Sequence, residues 1–130
     1  MRDICIIIAI VIIIIAGDIV MQKYLNKTAD EVLGKLNELK QETIIAKETE
    51  NREAIKKIMK NVETEWNKTH EIWASIVMHQ ELDNIEQALI RAKSNIEHGK
   101  LTDALEEIET TIFFVEHVKE REKLSLKNIF

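Results

Sequence analysis

The sequence predicts an all-α protein, in which an N-terminal transmembrane helix is followed by an antiparallel three- to four-helix bundle. Residues 4–17 contain no charged side chain. Beyond them, apolar residues recur at alternating steps of three and four, the spacing of one helix face. The chain has no Pro and only three Gly, fewer turn residues than a β-rich domain needs. We therefore divide it into a membrane anchor, residues 1–24, and a helical domain, residues 25–130.

The apolar run at residues 4–21 has the length and flanks of a membrane span. As a helix it covers roughly 27 Å, slightly less than a hydrocarbon core of about 30 Å. Arg2 and Lys23 flank it and can reach the lipid headgroups. Tyr24 sits where an interfacial aromatic side chain is typical, and Asp18 is close enough to the end for its carboxylate to reach water. The run therefore predicts insertion into the bilayer.

Residues 15–17 read I-A-G and place a small residue where a signal peptidase needs one, but they lack the A-x-A form, which favours a retained anchor over a cleaved signal peptide. Orientation has evidence on both sides. Lys23, Lys27 and Lys35 lie after the span and favour a body inside the cell, whereas an N-terminal apolar run commonly directs the downstream domain to export. We expect a single-pass protein of the cell membrane with an extracytoplasmic body, the opposite orientation being the alternative.

The charge balance excludes one class of partner. The chain carries 18 basic and 23 acidic side chains, a net charge of −5. A nucleic-acid-binding protein would show a basic stripe, so we expect no nucleic-acid partner. The single Cys5 lies inside the apolar run, which leaves no internal disulfide.

The body divides into four predicted helices. The first covers residues 28–46 and starts with a capping-box pattern at residues 28–31, unless it simply continues from the anchor. Residues 47–51 are polar and form the predicted break. The second helix, residues 51–78, has a heptad seam typical of a coiled coil. The seam consists of Ile55, Met59, Val62, Trp66, Thr69, Trp73 and Ile76.

A tight turn or kink is predicted at residues 79–84, where capping residues cluster. The third helix carries an apolar stripe that begins at Leu82, and it ends at Gly99, which adopts the left-handed conformation freely. The fourth covers residues 102–118. The last two stripes are Leu82, Ile85, Leu89, Ala92 and Ile96, and then Leu101, Leu105, Ile108, Ile112 and Val115.

Short connections make neighbouring helices antiparallel, which predicts which residues lie side by side. Folding about Gly99 places Arg91 opposite Glu107. It also brings His79 close to His117, and folding about residue 48 returns Trp73 to the level of Tyr24.

Together with the N-terminal span, four parts of the chain resemble a known family: residues 26–33, Trp66 with Trp73, residues 79–86 and residues 122–130. The third part reads H-Q-E-L-D-N-I-E and the fourth reads E-K-L-S-L-K-N-I-F. In order and spacing they are similar to the short bacterial membrane proteins of domain of unknown function 4363, found mainly in clostridia. The resemblance covers nearly the whole chain and implies an anchored helical protein beside a multi-pass membrane protein. It implies no activity, cofactor or catalytic residue.

Trp66, Trp73 and His79 are candidate interaction residues. A Trp stripe at heptad spacing is typical of a core, and an exposed aromatic platform for a peptide is the alternative. His79, with Asp83, Glu116 and His117, has the donor types of a zinc site. Polar caps at helix ends explain the same residues, and we expect no metal and no cofactor.

The C-terminal tail is apolar, with Leu124, Leu126, Ile129 and Phe130 as further candidate interaction residues. We expect it to pack back over the bundle. Insertion at the bilayer surface and docking on a partner are the alternatives.

The sequence contains no nucleophile–base constellation and no Gly-rich phosphate loop, so we expect a protein that is not an enzyme. The leading hypothesis is a non-catalytic interaction module, an accessory subunit tethered beside a multi-pass membrane protein. The alternative is an extracytoplasmic domain that senses a peptide or another ligand. Self-association through the seam of the second helix is a further alternative.

Overall fold

The structure is a computed structural model that describes the backbone of residues 1–129 and the side chains of residues 1–123. It contains four α-helices: α1, Arg2–Thr49; α2, Glu53–Trp73; α3, His79–Glu97; and α4, Leu101–Ile129. No strand occurs over the described backbone. The four helices pack as an antiparallel bundle, which confirms the predicted fold class.

Helix α1 runs without interruption from the apolar segment into the bundle. The capping-box pattern at Thr28 therefore marks no helix start. The Thr28 hydroxyl lies 3.0 Å from the carbonyl oxygen of Leu25 and 3.1 Å from that of Tyr24, so it donates within α1. Side-chain burial begins at Leu25 and continues along one stripe to Ala46.

The connection between α1 and α2 confirms the break predicted at residues 47–51. Glu50 adopts the left-handed conformation, with φ 59°, and its N–H donates to the Ala46 carbonyl oxygen at 2.8 Å. The Asn51 side-chain oxygen accepts from the N–H of Glu53 at 3.2 Å. This arrangement satisfies backbone groups that a helix end otherwise leaves without partners.

The connection between α2 and α3 lies earlier than predicted. Helix α2 ends at Trp73, not at residue 78, and residues 74–78 form the turn. The kink expected at residues 79–84 is wrong, because α3 already begins at His79. Val77 turns inward and is only 6% exposed, whereas Ile76, which the heptad pattern places on the seam, is half-buried in the turn. Val77 closes the core from within a turn, and helical periodicity does not predict the position of a buried residue outside a helix.

Gly99 ends the α3 segment as predicted. It has φ 72°, its N–H donates to Ile96, and the N–H of Lys100 donates to the Asn95 carbonyl oxygen at 2.8 Å. These two bonds form a Schellman motif, which needs a residue with positive φ at this place.

Helix α4 differs from the prediction in length and in its buried face. It extends to Ile129, well beyond the expected end at residue 118. The buried stripe shares Ile108 and Val115 with the predicted one, but Leu105 and Ile112 are only half-buried. Smaller side chains take their places in the core, which lets α4 approach its neighbours closely. The buried residues are Ala104, Ile108, Thr111, Val115 and Val118.

Ion pairs between helices report the antiparallel register. Arg91 Nε lies 3.0 Å from Glu107 Oε1, as predicted from folding about Gly99. Between α1 and α4, Asp30 pairs with Lys119 at 2.7 Å and Lys40 pairs with Glu109 at 3.5 Å. Each step toward the C-terminus of α4 is therefore a step toward the apolar end of α1.

Candidate interaction surface

The N-terminal part of α1 exposes its apolar side chains on all sides. Ile7 is 60% exposed and Ile13 is 69% exposed. Among the described residues, α1 is the one helix that is long enough and apolar enough to cross a membrane. Exposed Ile side chains are costly in water and favourable in hydrocarbon.

Trp66 and Trp73 lie inside the bundle. Trp66 is 3% exposed and Trp73 is fully buried, and their rings meet edge to face with centroids 6.0 Å apart. The indole Nε1–H of Trp73 donates to the Thr28 hydroxyl at 2.8 Å. The core interpretation is therefore correct, and neither ring is available as a platform for a peptide. The contact also places Trp73 within four residues of its expected level on α1.

His79 is exposed at the first position of α3, and a neighbouring residue takes the central place instead. Glu81 is 8% exposed, and its Oε1 accepts from Arg121 at 2.7 Å, with His117 Nε2 at 3.9 Å. Its second oxygen is buried with no hydrogen-bond partner among the described side chains. Glu81 is not among the candidate site residues predicted from the sequence, although it lies within residues 79–86, a stretch that carries the family resemblance.

The Glu81 cluster lines one side of a cleft of about 300 Å³ between α3 and α4. Phe113 stands at its edge, 62% exposed, and stacks on the His117 ring with centroids 6.2 Å apart. Phe114 packs against the core beside it. The cleft thus combines an exposed aromatic ring with an ion pair in which the Glu81 carboxylate is buried and the Arg121 side chain is exposed. Its lining is Gln80, Glu81, Asn84, Phe113, Phe114, His117 and Arg121.

Glu122 adds negative charge near this cluster. Partial burial raises the pKa of its carboxyl above the ordinary value of 4.5, the Glu81 carboxylate raises it further, and Arg121 opposes both. Burial disfavours the charged form of an acid, and a second carboxylate nearby acts in the same direction. The end of the cleft is thus a place where carboxylates outnumber the one guanidinium.

A second cavity of about 410 Å³ lies between α2 and α3. Its floor includes the buried Met59 and Ile96. Lys93 crosses it to pair with Glu63 at 2.8 Å, and this hydrogen bond and charge raise the pKa of the Lys93 ammonium.

The remaining predicted sites give three results. Leu124, Leu126, Ile129 and Phe130 lie outside the residues whose side chains are described, although the α4 backbone continues through Ile129. Among the described residues, no group of three or more His, Cys, Asp or Glu side chains is placed to hold a metal ion. The seam of α2 is buried within this chain and not on its surface.

Comparison with known proteins gives one match. The sequence model of the family described as "Domain of unknown function (DUF4363)" matches residues 19–129. No curated protein and no solved structure matches the chain.

Proposed function

This chain belongs to the DUF4363 family, and from that premise we propose that it is a membrane-anchored, non-catalytic interaction protein, an accessory subunit held beside another membrane protein. The observation that carries the proposal is the single 48-residue helix α1. Its first part is apolar and exposed, and its second part forms one wall of the bundle core. A bundle built on its own anchor is held at one height above the bilayer.

This construction suits an accessory subunit because it restricts where the bundle can be. A tether that keeps two surfaces close raises their effective concentration, so a modest contact area suffices for binding. A helix without a break also restricts orientation, which a flexible linker does not. In this proposal the bundle lies outside the cytoplasm. Labelling of an Asn51→Cys variant with a membrane-impermeant maleimide on intact cells tests that orientation.

The cleft between α3 and α4 is the surface we assign to the partner. The ion pair of Asp30 with Lys119 sets its position along α1. At about 1.5 Å per helical residue, the cleft lies roughly 10–20 Å beyond the apolar segment. At that height it faces sideways, toward the extramembrane part of a neighbour. The exposed Phe113 ring supplies the kind of aromatic anchor that is enriched at binding hot spots.

Site-specific photo-cross-linking in native membranes tests this assignment. We would place a photoreactive phenylalanine at position 113 and, as the matched control, at position 90. Ile90 is 61% exposed on α3, nearly the same as Phe113, and does not line the cleft. We expect one recurring multi-pass membrane protein to cross-link at position 113 and not at position 90. An Arg121→Glu variant should lose this adduct.

Equal adducts at both positions, or none, would contradict the assignment. An adduct between two copies of this chain would replace the accessory role with self-association.

A second candidate function, ligand sensing, is favoured by the cavity between α2 and α3. Three lysines and two glutamates line it around an apolar floor, and Glu63 pairs with Lys93. Lys56 and Lys60 are the cations that would meet the charged group of an amphipathic anion. Thermal unfolding of the full chain with a panel of anionic peptides and carboxylic acids tests this function. A stabilising ligand should lose its effect in a Lys60→Glu variant, and a panel without any stabilising member would exclude the ligand classes tested.

A further inference from the structure

The three turns of the bundle differ in charge, and the difference follows their distance from the apolar segment of α1. Residues 50–52 read E-N-R and residues 98–100 read H-G-K, so both of these turns are polar. Residues 74–78 read A-S-I-V-M and carry no charge. The two polar turns lie at the end far from the apolar segment, and the uncharged turn lies at the near end. If both ends of the bundle faced water, their turns would have no physical reason to differ in charge.

The contact between Trp73 and Thr28 sets the height of the uncharged turn. The Trp73 Nε1 atom lies 2.8 Å from Thr28 Oγ1, so the two residues share a level. From Trp73 the turn continues about 6 Å toward the anchor, while the end of the apolar run, Met21, lies roughly 10 Å below Thr28. The turn therefore reaches to within about 4 Å of the end of the apolar run, the depth of the headgroups.

Side-chain exposure at this level fits contact with lipid. Met78 is 56% exposed, whereas Val77 beside it closes the core. On α1, Tyr24 is 45% exposed at the same height. Lys23 and Lys27 are exposed next to it, where ammonium groups can meet lipid phosphates. An exposed thioether, a phenol ring and two ammonium groups form the pattern of a surface at a membrane boundary.

We propose that the turn of residues 74–78 rests on the lipid bilayer, with Met78 at the boundary between the headgroups and the acyl chains. This inference rests on the anchoring that the proposed function assumes. It adds a second contact with the membrane, at the turn that joins α2 to α3. Two contacts hold the bundle upright, which keeps the cleft between α3 and α4 at a constant height.

Depth-dependent fluorescence quenching of the full chain tests the contact. Single cysteines are introduced in a Cys5→Ser background as Met78→Cys, Asn51→Cys and Ile12→Cys, and each is labelled with the environment-sensitive dye NBD. The proteins are reconstituted into phosphatidylcholine–phosphatidylglycerol vesicles with and without lipids that carry a shallow nitroxide. Asn51 reports the exposed far turn, and Ile12 reports the apolar segment. Circular dichroism establishes that each variant keeps its helical content before it is labelled.

We expect blue-shifted emission at position 78 and roughly two-fold quenching by the shallow nitroxide, because an interfacial side chain lies within about 5–10 Å of that boundary. Position 51 should emit as in water. If position 12 reports lipid while position 78 reports water, the turn does not touch the bilayer and only this inference fails. If position 12 itself reports water, the anchor is not inserted, and both the inference and the proposed function fail.

Discussion

Replacing Thr28 by Val should destabilise the bundle through the indole of Trp73. The Trp73 Nε1–H donates to the Thr28 hydroxyl at 2.8 Å, and Trp73 is fully buried. Valine keeps the shape of threonine but has no acceptor, so the N–H stays buried without a partner. Such a group costs about 1–3 kcal/mol of the free energy of unfolding. We expect a loss in that range for Thr28→Val.

Thr43→Val is the matched control. Thr43 is fully buried on α1, but its hydroxyl donates only to the Leu39 carbonyl oxygen of the same helix, at 2.7 Å. That oxygen also lies within the hydrogen-bond ladder of α1, so loss of the hydroxyl strands no buried donor. We expect Thr43→Val to cost less than about 1 kcal/mol.

A double-mutant cycle with Trp73→Phe isolates the bond. Trp73→Phe removes the N–H and leaves a small cavity, at a cost of roughly 2–3 kcal/mol. In that background Thr28→Val strands no donor, so the cycle should give a coupling of about 1–2 kcal/mol. The cycle of Trp73 with Thr43 should be additive to within about 0.5 kcal/mol.

The assay is urea unfolding of the full chain in detergent micelles, followed by far-ultraviolet circular dichroism. Fluorescence of Trp66, which is present in every variant, serves as a second probe. Equal losses for the two threonine variants, or a coupling below about 0.5 kcal/mol, would refute the argument that this bond joins α1 to α2.

Two further predictions concern the far turn and the cleft. Gly99→Ala should lower the free energy of unfolding by about 1–2 kcal/mol because of its φ of 72°, whereas Gly34→Ala, with open space around it, should raise it by about 0.5–1 kcal/mol. Thermal melts of both variants check that the two changes in stability have opposite signs. A loss of stability in both variants would contradict this explanation from backbone conformation. Folding raises the pKa of Glu122 above 4.5. The contribution of this carboxyl to the free energy of unfolding is therefore fully present below pH 4.5 and is lost as the pH rises through the folded-state pKa. Glu122→Gln should therefore gain stability relative to the parent between acid and neutral pH, as measured by unfolding at several pH values, and a constant difference would sink this explanation.

Most of the fold could be predicted because its signals are local. The stripe from Ile55 to Trp73 repeats at steps of four and three, and every predicted residue of that range is buried. Gly99 marks its turn because few other residues tolerate positive φ. The pair of Arg91 with Glu107 then follows from one turn and the helical rise.

The error in the buried face of α4 occurred because two stripes fit the helical period equally well. On α4, the predicted stripe through Leu105 and Ile112 and the observed one through Ala104 and Thr111 share the same spacing. Hydrophobicity favours the first, but close packing against two neighbouring helices favours the smaller residues of the second. Periodicity within one helix contains no information about the distance to another helix.

The candidate cleft could not be predicted from the sequence, because it also depends on contacts between helices. Glu81 and Arg121 are separated by 40 residues and each is typical of a solvated helix face. Only the approach of α3 to α4 buries Glu81 and brings the guanidinium to its carboxylate. Phe113, in the same way, is an apolar residue that the bundle leaves outside.

By itself, the sequence determined that this protein is helical, that its first segment suits a membrane, and where its polar turns lie. These properties depend on composition and on the helical period, which act over one or two turns of chain. Tertiary structure alone decided which face of α4 is buried and which carboxylate lies in the cleft. Each of these depends on which side chains neighbouring helices have room for, because the free energy of packing is set between elements and not within them.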